Sequence, residues 1–222
     1  MVSRDRRDTS RLEGFSDAVF AFAATLLVVS LEVPENFSAL VAQIQGFGAF
    51  AITFGALVAI WTVHKAFFRR YRLDDGWTVF LNSALLFIVL FYVFPLKFLT
   101  ETFFSDVLGF GGRHISIQDA DELATVFTLY SAGFTAMFVL VAAMYGHAYR
   151  RRSALRLNAI QAWEAAYLGR HYLLFAVAGV ASMGLAIAGV GILFGLPGLL
   201  YVLLGPVCFA HGHWSTRRRP VS

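Results

Sequence analysis

Charge is scarce in this chain. Only 14% of its 222 residues are Asp, Glu, Lys or Arg, against 58% hydrophobic. No soluble core needs that much apolar surface, so the composition excludes an ordinary water-soluble domain. Cysteine is nearly absent: Cys208 stands alone, which excludes an intrachain disulfide and leaves a small packing residue as its reading. The apolar runs lack the alternation that ~10-residue barrel strands need, so the spanning elements are helices. No linker divides two domains, and the second half holds no copy of a Phe-Ser-Asp pattern found near the N-terminus. The internal duplication common in secondary transporters is therefore not visible.

What is present is a set of long apolar runs. Crossing ~30 Å of hydrocarbon takes about 20 helical residues, and runs of that size fall near 11–33, 44–67, 77–99, 122–147, 171–192 and 196–214. The reading is a single all-α membrane domain of six transmembrane helices covering 1–222. Gly189, Gly191, Gly195 and Pro197 barely separate the last two, so five helices is the competing count. Charge asymmetry argues for six. Sixteen of the 18 basic residues lie before helix one, between helices two and three, between four and five, or at the chain's end in Arg217, Arg218 and Arg219. By the positive-inside rule that side is cytoplasmic, which places both termini inside a multi-pass protein of the plasma membrane. Glu32, Glu35, Glu101, Asp106, Asp119, Asp121 and Glu122 mark the opposite side, with only Lys97 and Arg113 among them. The net charge of +4 is thus a topology signal, and nucleic acid is not an expected partner. A cleaved signal peptide fits poorly, because the first apolar run is too long and carries Ser16 and Asp17.

Helix one carries the chemistry. A carboxylate in a lipid-spanning segment costs about 2.5 to 3.5 kcal/mol on insertion scales and so calls for a partner or a function. Ser10 and Glu13 have the spacing of a capping box, which would start the helix at about Arg11 and put Asp17 in its second turn. One reading of Ser16 and Asp17 is an ordinary N-terminal turn with acids favoured by the helix dipole. The other is a polar cluster between helices near the cytoplasmic leaflet, with His64 of helix two and Asn82 of helix three as partners. At 3.6 residues per turn, Ala18, Phe22, Thr25, Leu26, Val29 and Val33 share one side of helix one, with Ala21, Ala23 and Ala24 keeping the flanks small. Such a stripe is often plain packing, although small flanks let copies of one helix approach closely.

Arg11-x-x-x-Phe15-Ser16-Asp17, followed by an Ala-, Phe- and Val-rich run through Thr25-Leu-Leu to Val33-Pro34, resembles the first helix of the transmembrane protein 175 family of potassium channels, in its bacterial single-repeat branch. The likeness continues more weakly through Ile60-Trp-Thr-Val-His64 and through Leu81-Asn82 to Phe94-Pro95. It implies six helices per subunit, a homotetramer around a central pore lined by helix one, and K⁺ ions as the permeant partner. It also implies no Thr-Val-Gly-Tyr-Gly filter, and the sequence holds none. Carried onto this chain, the resemblance makes Phe22 the pore constriction, with Leu26 and Val29 extending the apolar lining, and Thr25 the hydroxyl layer for selectivity. Arg11, Phe15, Ser16, Asp17, His64 and Asn82 form the structural polar cluster, and Glu32 and Glu35 stand at the external mouth. The chain departs from the family in carrying Phe22 where Ile or Leu is usual, and His64-Lys65 where paired His is often seen.

Two other classes compete. A proton-coupled ion transporter would relay through Asp17 and His64. A membrane enzyme would need convergent histidines and carboxylates, and His147, His171, His211 and His213 fall toward the cytoplasmic side. His211-Gly-His213 is at most half a metal site, so no metal, no cofactor and no enzymatic activity are expected. The segment from Thr100 to Asp121, with Gly109, Gly111, Gly112 and His114, reads as an external loop of no recognisable chemistry.

Overall fold

The computed structural model of the chain describes residues 2–31, 33–107 and 119–220. Every element among them is helical: α1 Val2–Val29, α2 Phe37–Gln45, α3 Phe47–Tyr71, α4 Gly76–Thr102, α5 Ala120–Arg150, α6 Ala159–Ile187, α7 Leu196–Leu199 and α8 Leu204–Thr216, with short 3₁₀ and π turns. Six of the helical stretches are long and apolar enough to cross a bilayer, namely Arg11–Val29, Phe47–Tyr71, Gly76–Ser105, Ala120–Arg150, Ala159–Ile187 and Leu196–Thr216. The protein is an all-α membrane protein.

The bounds depart from the sequence reading where local chemistry outweighs hydropathy. Helix α1 begins at Val2, so Ser10 lies inside it and is no N-cap; nothing between Val2 and Ser10 breaks a helix. It ends at Val29, which leaves Val33 beyond the helix and outside its stripe. Helix α6 begins at Ala159, upstream of the apolar run near 171 and through a stretch rich in helix formers, because Asn158 and Gln161 close a capping box: Gln161 N donates to Asn158 Oδ1 at 2.8 Å and Asn158 N to Gln161 Oε1 at 3.1 Å. The last span is entered through a tight turn. Gly191 and Gly195 take φ of 65° and 64° around a 3₁₀ turn at Ile192–Phe194, a backbone state that glycine adopts without strain. Helix α4 runs on to Thr102 and into a π turn at Phe103–Val107; Gly109, Gly111, Gly112 and His114 lie outside the described residues.

The chain divides into two compact units. The first comprises residues 1–68 and 86–117, the second 69–85 and 118–222. In the first, Phe20, Ala23 and Leu27 of α1, Ala49, Leu57, Phe67 and Phe68 of α3, and Leu86, Val89 and Val93 of α4 are buried. The hydroxyls of Thr53 and Thr100 meet at 2.7 Å and tie α3 to α4. Gly48 permits a further close approach, since a Cβ there would collide with the Phe104 ring.

In the second unit α5 and α6 pack along their length. The rings of Phe138 and Phe175 meet at a tilt with centroids 4.6 Å apart, as do those of Tyr145 and Tyr172 at 5.5 Å, while Gly179 leaves room that a Cβ would take from Thr135 Oγ1. A buried hydroxyl relay joins the last span to this pair. Ser131 and Ser182 share a hydrogen bond of 2.8 Å, Ser182 donates to the Pro197 carbonyl at 2.8 Å, and Tyr201 donates to Ser131 at 3.0 Å.

At the start of α4, Asp75 accepts from Thr78 N at 2.9 Å and Thr78 Oγ1 at 2.8 Å. It also meets His147 Nε2 at 2.8 Å and Arg151 Nε at 3.5 Å from the end of α5. Burial pushes the Asp75 carboxyl up, but the hydrogen bonds from Thr78 and His147 and the charge of His147 outweigh it and hold the group below its ordinary value. A carboxylate held low contributes stability that is complete above its unfolded value of about 3.9 and is lost as pH falls through the folded one. Asp75→Asn should therefore lower the melting temperature at neutral pH and flatten its decline below about pH 4, as read by thermal unfolding in detergent.

Candidate functional site

Helix α1 has two unlike faces. Ser16, Phe20, Ala23 and Leu27 are buried, whereas Phe15, Ala18, Phe22, Thr25 and Val29 are exposed and Leu26 is half-buried. Phe22 stands 56% and Val29 71% exposed. The inward residues repeat at the spacing of one helical stripe, so the outward residues are fixed as the opposite one. On that outward stripe Thr25 is the polar group: its Oγ1 donates to Ala21 O at 2.9 Å, which leaves the oxygen's lone pairs turned away from the helix.

The base of α1 is held by α3. Trp61 Nε1 donates to Asp17 Oδ1 at 2.7 Å, and Lys65 Nζ sits 4.6 Å above the same indole ring. One Trp61 side chain thereby links a carboxylate at its edge to an ammonium on its face. His64 is buried between Phe20, at 5.4 Å, and Phe68, at 4.8 Å. Ser16 is also fully buried and donates to Leu12 O at 2.8 Å.

The sequence of residues 11–92 matches the family described as "Endosomal/lysosomal potassium channel TMEM175". A crystal structure of the potassium channel MtTMEM175, in a threonine-to-alanine variant bound to a nanobody-MBP fusion protein, superposes with a TM-score of 0.82 at 32% identity, over 93% of this chain and 93% of that one. The chain belongs to the TMEM175 family. A "Potassium channel" of Marivirga tractuosa is 39% identical over 165 residues, 71% of this chain and 66% of that protein. "Potassium channel Cha6605_3372" of Chamaesiphon minutus is 32% identical over 105 residues, 44% of this chain and 52% of its own length. The matches thus span between half and two thirds of these curated relatives. A TMEM175 homologue from Chamaesiphon minutus, described as a lysosomal potassium-selective channel, shares the fold with a TM-score of 0.54 at 23% identity.

The remaining candidate residues of this TMEM175 chain fall in several places. Asn82 is fully buried and belongs to the second unit's share of α4. Arg11 and Phe15 are exposed on α1. Glu35 is exposed just before α2, and Glu32 lies outside the described residues. The two histidines around Gly212 part company: His213 is exposed beside Arg217, with Nε2 3.0 Å from Nη2, while His211 stacks on Tyr167 at 4.9 Å. Among the described residues no three or more His, Cys, Asp or Glu gather as metal ligands would.

The sequence reading passed over Trp61 as a partner for Asp17. The signal was available in the chemistry of indole, whose N–H seeks an acceptor when its helix is otherwise apolar. Trp61→Phe keeps an aromatic face for the Lys65 ammonium and removes the donor. Because Asp17 is exposed and regains water, the loss should be about 1 kcal/mol rather than the larger cost of a buried ion. A double-mutant cycle of Trp61→Phe with Asp17→Asn, measured by thermal unfolding, should give a coupling of that size.

Proposed function

We propose that this TMEM175 chain forms a potassium-permeable cation channel of the plasma membrane, in which four copies surround a central path lined by α1. The observation that carries this reading is the outward stripe of Phe22, Thr25 and Val29, left uncovered by its own chain on a helix long enough to span the bilayer. One helix encloses no path, so a pore built on this stripe requires several copies. The potassium channels named among the relatives, and the fit of 93% of the chain to the structure of one of them, support the assignment of K⁺ as the permeant ion and of a channel rather than an enzyme. The basic loops support cytoplasmic termini.

In this arrangement Phe22 forms a dry constriction, with Leu26 and Val29 continuing the apolar wall. No oxygen at the Phe22 level replaces an ion's hydration, so the rings gate by excluding water, and ions pass when the rings turn or the helices spread. Thr25 sits about one turn further along, its hydroxyl hydrogen engaged by Ala21 O and its oxygen available to a partly dehydrated cation. Four such oxygens give preference without a carbonyl filter. Glu32 and Glu35 at the external end raise the local cation concentration. The rival relay through Asp17 and His64 gains no support from relatives that are named as channels.

Reconstituted protein tests this directly. Liposomes should pass K⁺ down its gradient with no co-transported ion, and light scattering of detergent-purified protein should give a tetramer; a conducting monomer overturns the arrangement. Thr25→Val keeps the shape and removes the oxygen, so the K⁺ over Na⁺ permeability ratio should fall by roughly fivefold, the scale of one hydrogen bond of about 1 kcal/mol. Reversal potentials under bi-ionic conditions measure it.

Phe22→Ala should widen and wet the constriction and give a larger, less selective unitary current, while Phe22→Leu should raise conductance and keep selectivity. A Phe22 that faced lipid or another helix would behave as a packing residue. Both substitutions would then lower folded yield, the alanine more, without enlarging single-channel current.

A further inference from the structure

Lys97 is one of two basic residues that the charge pattern leaves on the acidic side of the chain. A lone cation there needs a reason. Its side chain is only 12% exposed, and its ammonium donates to Ser30 O at 2.8 Å and to Ser30 Oγ at 2.8 Å. Ser30 is the first residue past the end of α1, and its own hydroxyl bonds back to Leu27 O at 2.7 Å. The last turn of α1 holds no basic residue, so the negative end of its dipole receives a cation from α4 rather than from its own sequence. Glu101, 3.4 Å from the ammonium, partners the remaining donor side.

The anchor point is itself fixed. Thr100, one turn along α4 from Lys97, meets Thr53 of α3 at 2.7 Å, so the lysine reaches α1 from a helix already braced. Charge-assisted bonds of this length are stronger than neutral ones. Leu26 and Val29 lie within a turn of Ser30, and a shift of the helix end would carry them with it. A hollow of about 1000 Å³, lined by Ser30, Lys97, Glu101, Phe50 and Phe104 among others, adjoins the contact and gives the helix end room to move once released.

We propose that Lys97 is a positioning residue that pins the carboxyl-terminal end of α1 to α4 and thereby holds the ion path in its resting, closed arrangement. The gating half of this proposal rests on the reading of α1 as the pore-lining helix; the pinning half does not.

The test separates the two. Lys97→Met keeps the stem and removes every donor, Lys97→Arg keeps charge and donors, and Ser30→Ala removes one acceptor with little risk to folding. Each is made in a Cys208→Ser background with a spin label on Leu31→Cys, and each is recorded in planar bilayers.

The expected result for Lys97→Met is a more mobile label and an open probability raised more than about fivefold, the factor for a single lost hydrogen bond, because both bonds to Ser30 are removed, with unitary conductance and reversal potential unchanged. Lys97→Arg should restore both readouts, and Ser30→Ala should shift both the same way by less. An unmoved label in Lys97→Met and Ser30→Ala overturns the pinning. A mobile label with unchanged open probability overturns the gating role, while the reading of α1 as the pore helix stands or falls on the Phe22 and Thr25 recordings. A changed unitary conductance that Lys97→Arg restores overturns it too, because Lys97 would then act on ions as a surface charge. If Lys97→Met yields no folded protein, the Ser30→Ala recordings decide alone.

Discussion

Within a span that water does not reach, a polar side chain must find its partner inside the protein or remain unpaired at a cost of about 1 to 3 kcal/mol. This chain meets that constraint with a few bonds between helices, and its architecture follows from where they fall. Asp17 to Trp61, at the exposed base of α1, joins α1 to α3, while inside the unit Thr53 to Thr100 joins α3 to α4 and Lys97 to Ser30 joins α4 back to α1. The three contacts close a ring of helices within the first unit. Apolar packing supplies most of the contact area, but hydrocarbon solvates an apolar face as well as a neighbouring helix does. Directional bonds therefore fix which faces turn inward.

For α1 the consequence is functional. Ser16, Phe20, Ala23 and Leu27 are committed to the inner face, so the rotation of the helix leaves Phe22, Thr25 and Val29 outward. The same turns of sequence thus present two sides, one packed against its own unit and one left uncovered by it. The large aromatic at Phe22 is tolerated because nothing in its own chain must accommodate it.

The second unit solves a different problem with the same means. The turn that leads into its last span carries glycines at positive φ, and carbonyls freed by such a turn need partners that lipid cannot supply. The Ser131, Ser182 and Tyr201 hydroxyls meet this need, with Ser182 reaching the Pro197 carbonyl directly. Stacked Phe and Tyr rings between α5 and α6 complete the packing, while Asp75, His147 and Arg151 bind the start of α4 to the end of α5.

Hydropathy and charge by themselves determined the class of this protein, its six spans and the motif at Arg11 to Asp17, because segment length and composition are properties of consecutive residues. The Asn158 to Gln161 box was also legible, although the apolar run near 171 drew the boundary away from it. The tertiary structure decided what depends on partners distant in sequence. Trp61, not a residue of the expected cluster, meets the Asp17 carboxylate; His64 packs between Phe20 and Phe68; and Lys97 caps α1 from 67 residues away. A periodic pattern can say that Phe22 and Thr25 share a side, but only the packing of Ser16, Phe20, Ala23 and Leu27 on the opposite face determines that this side is the one left open.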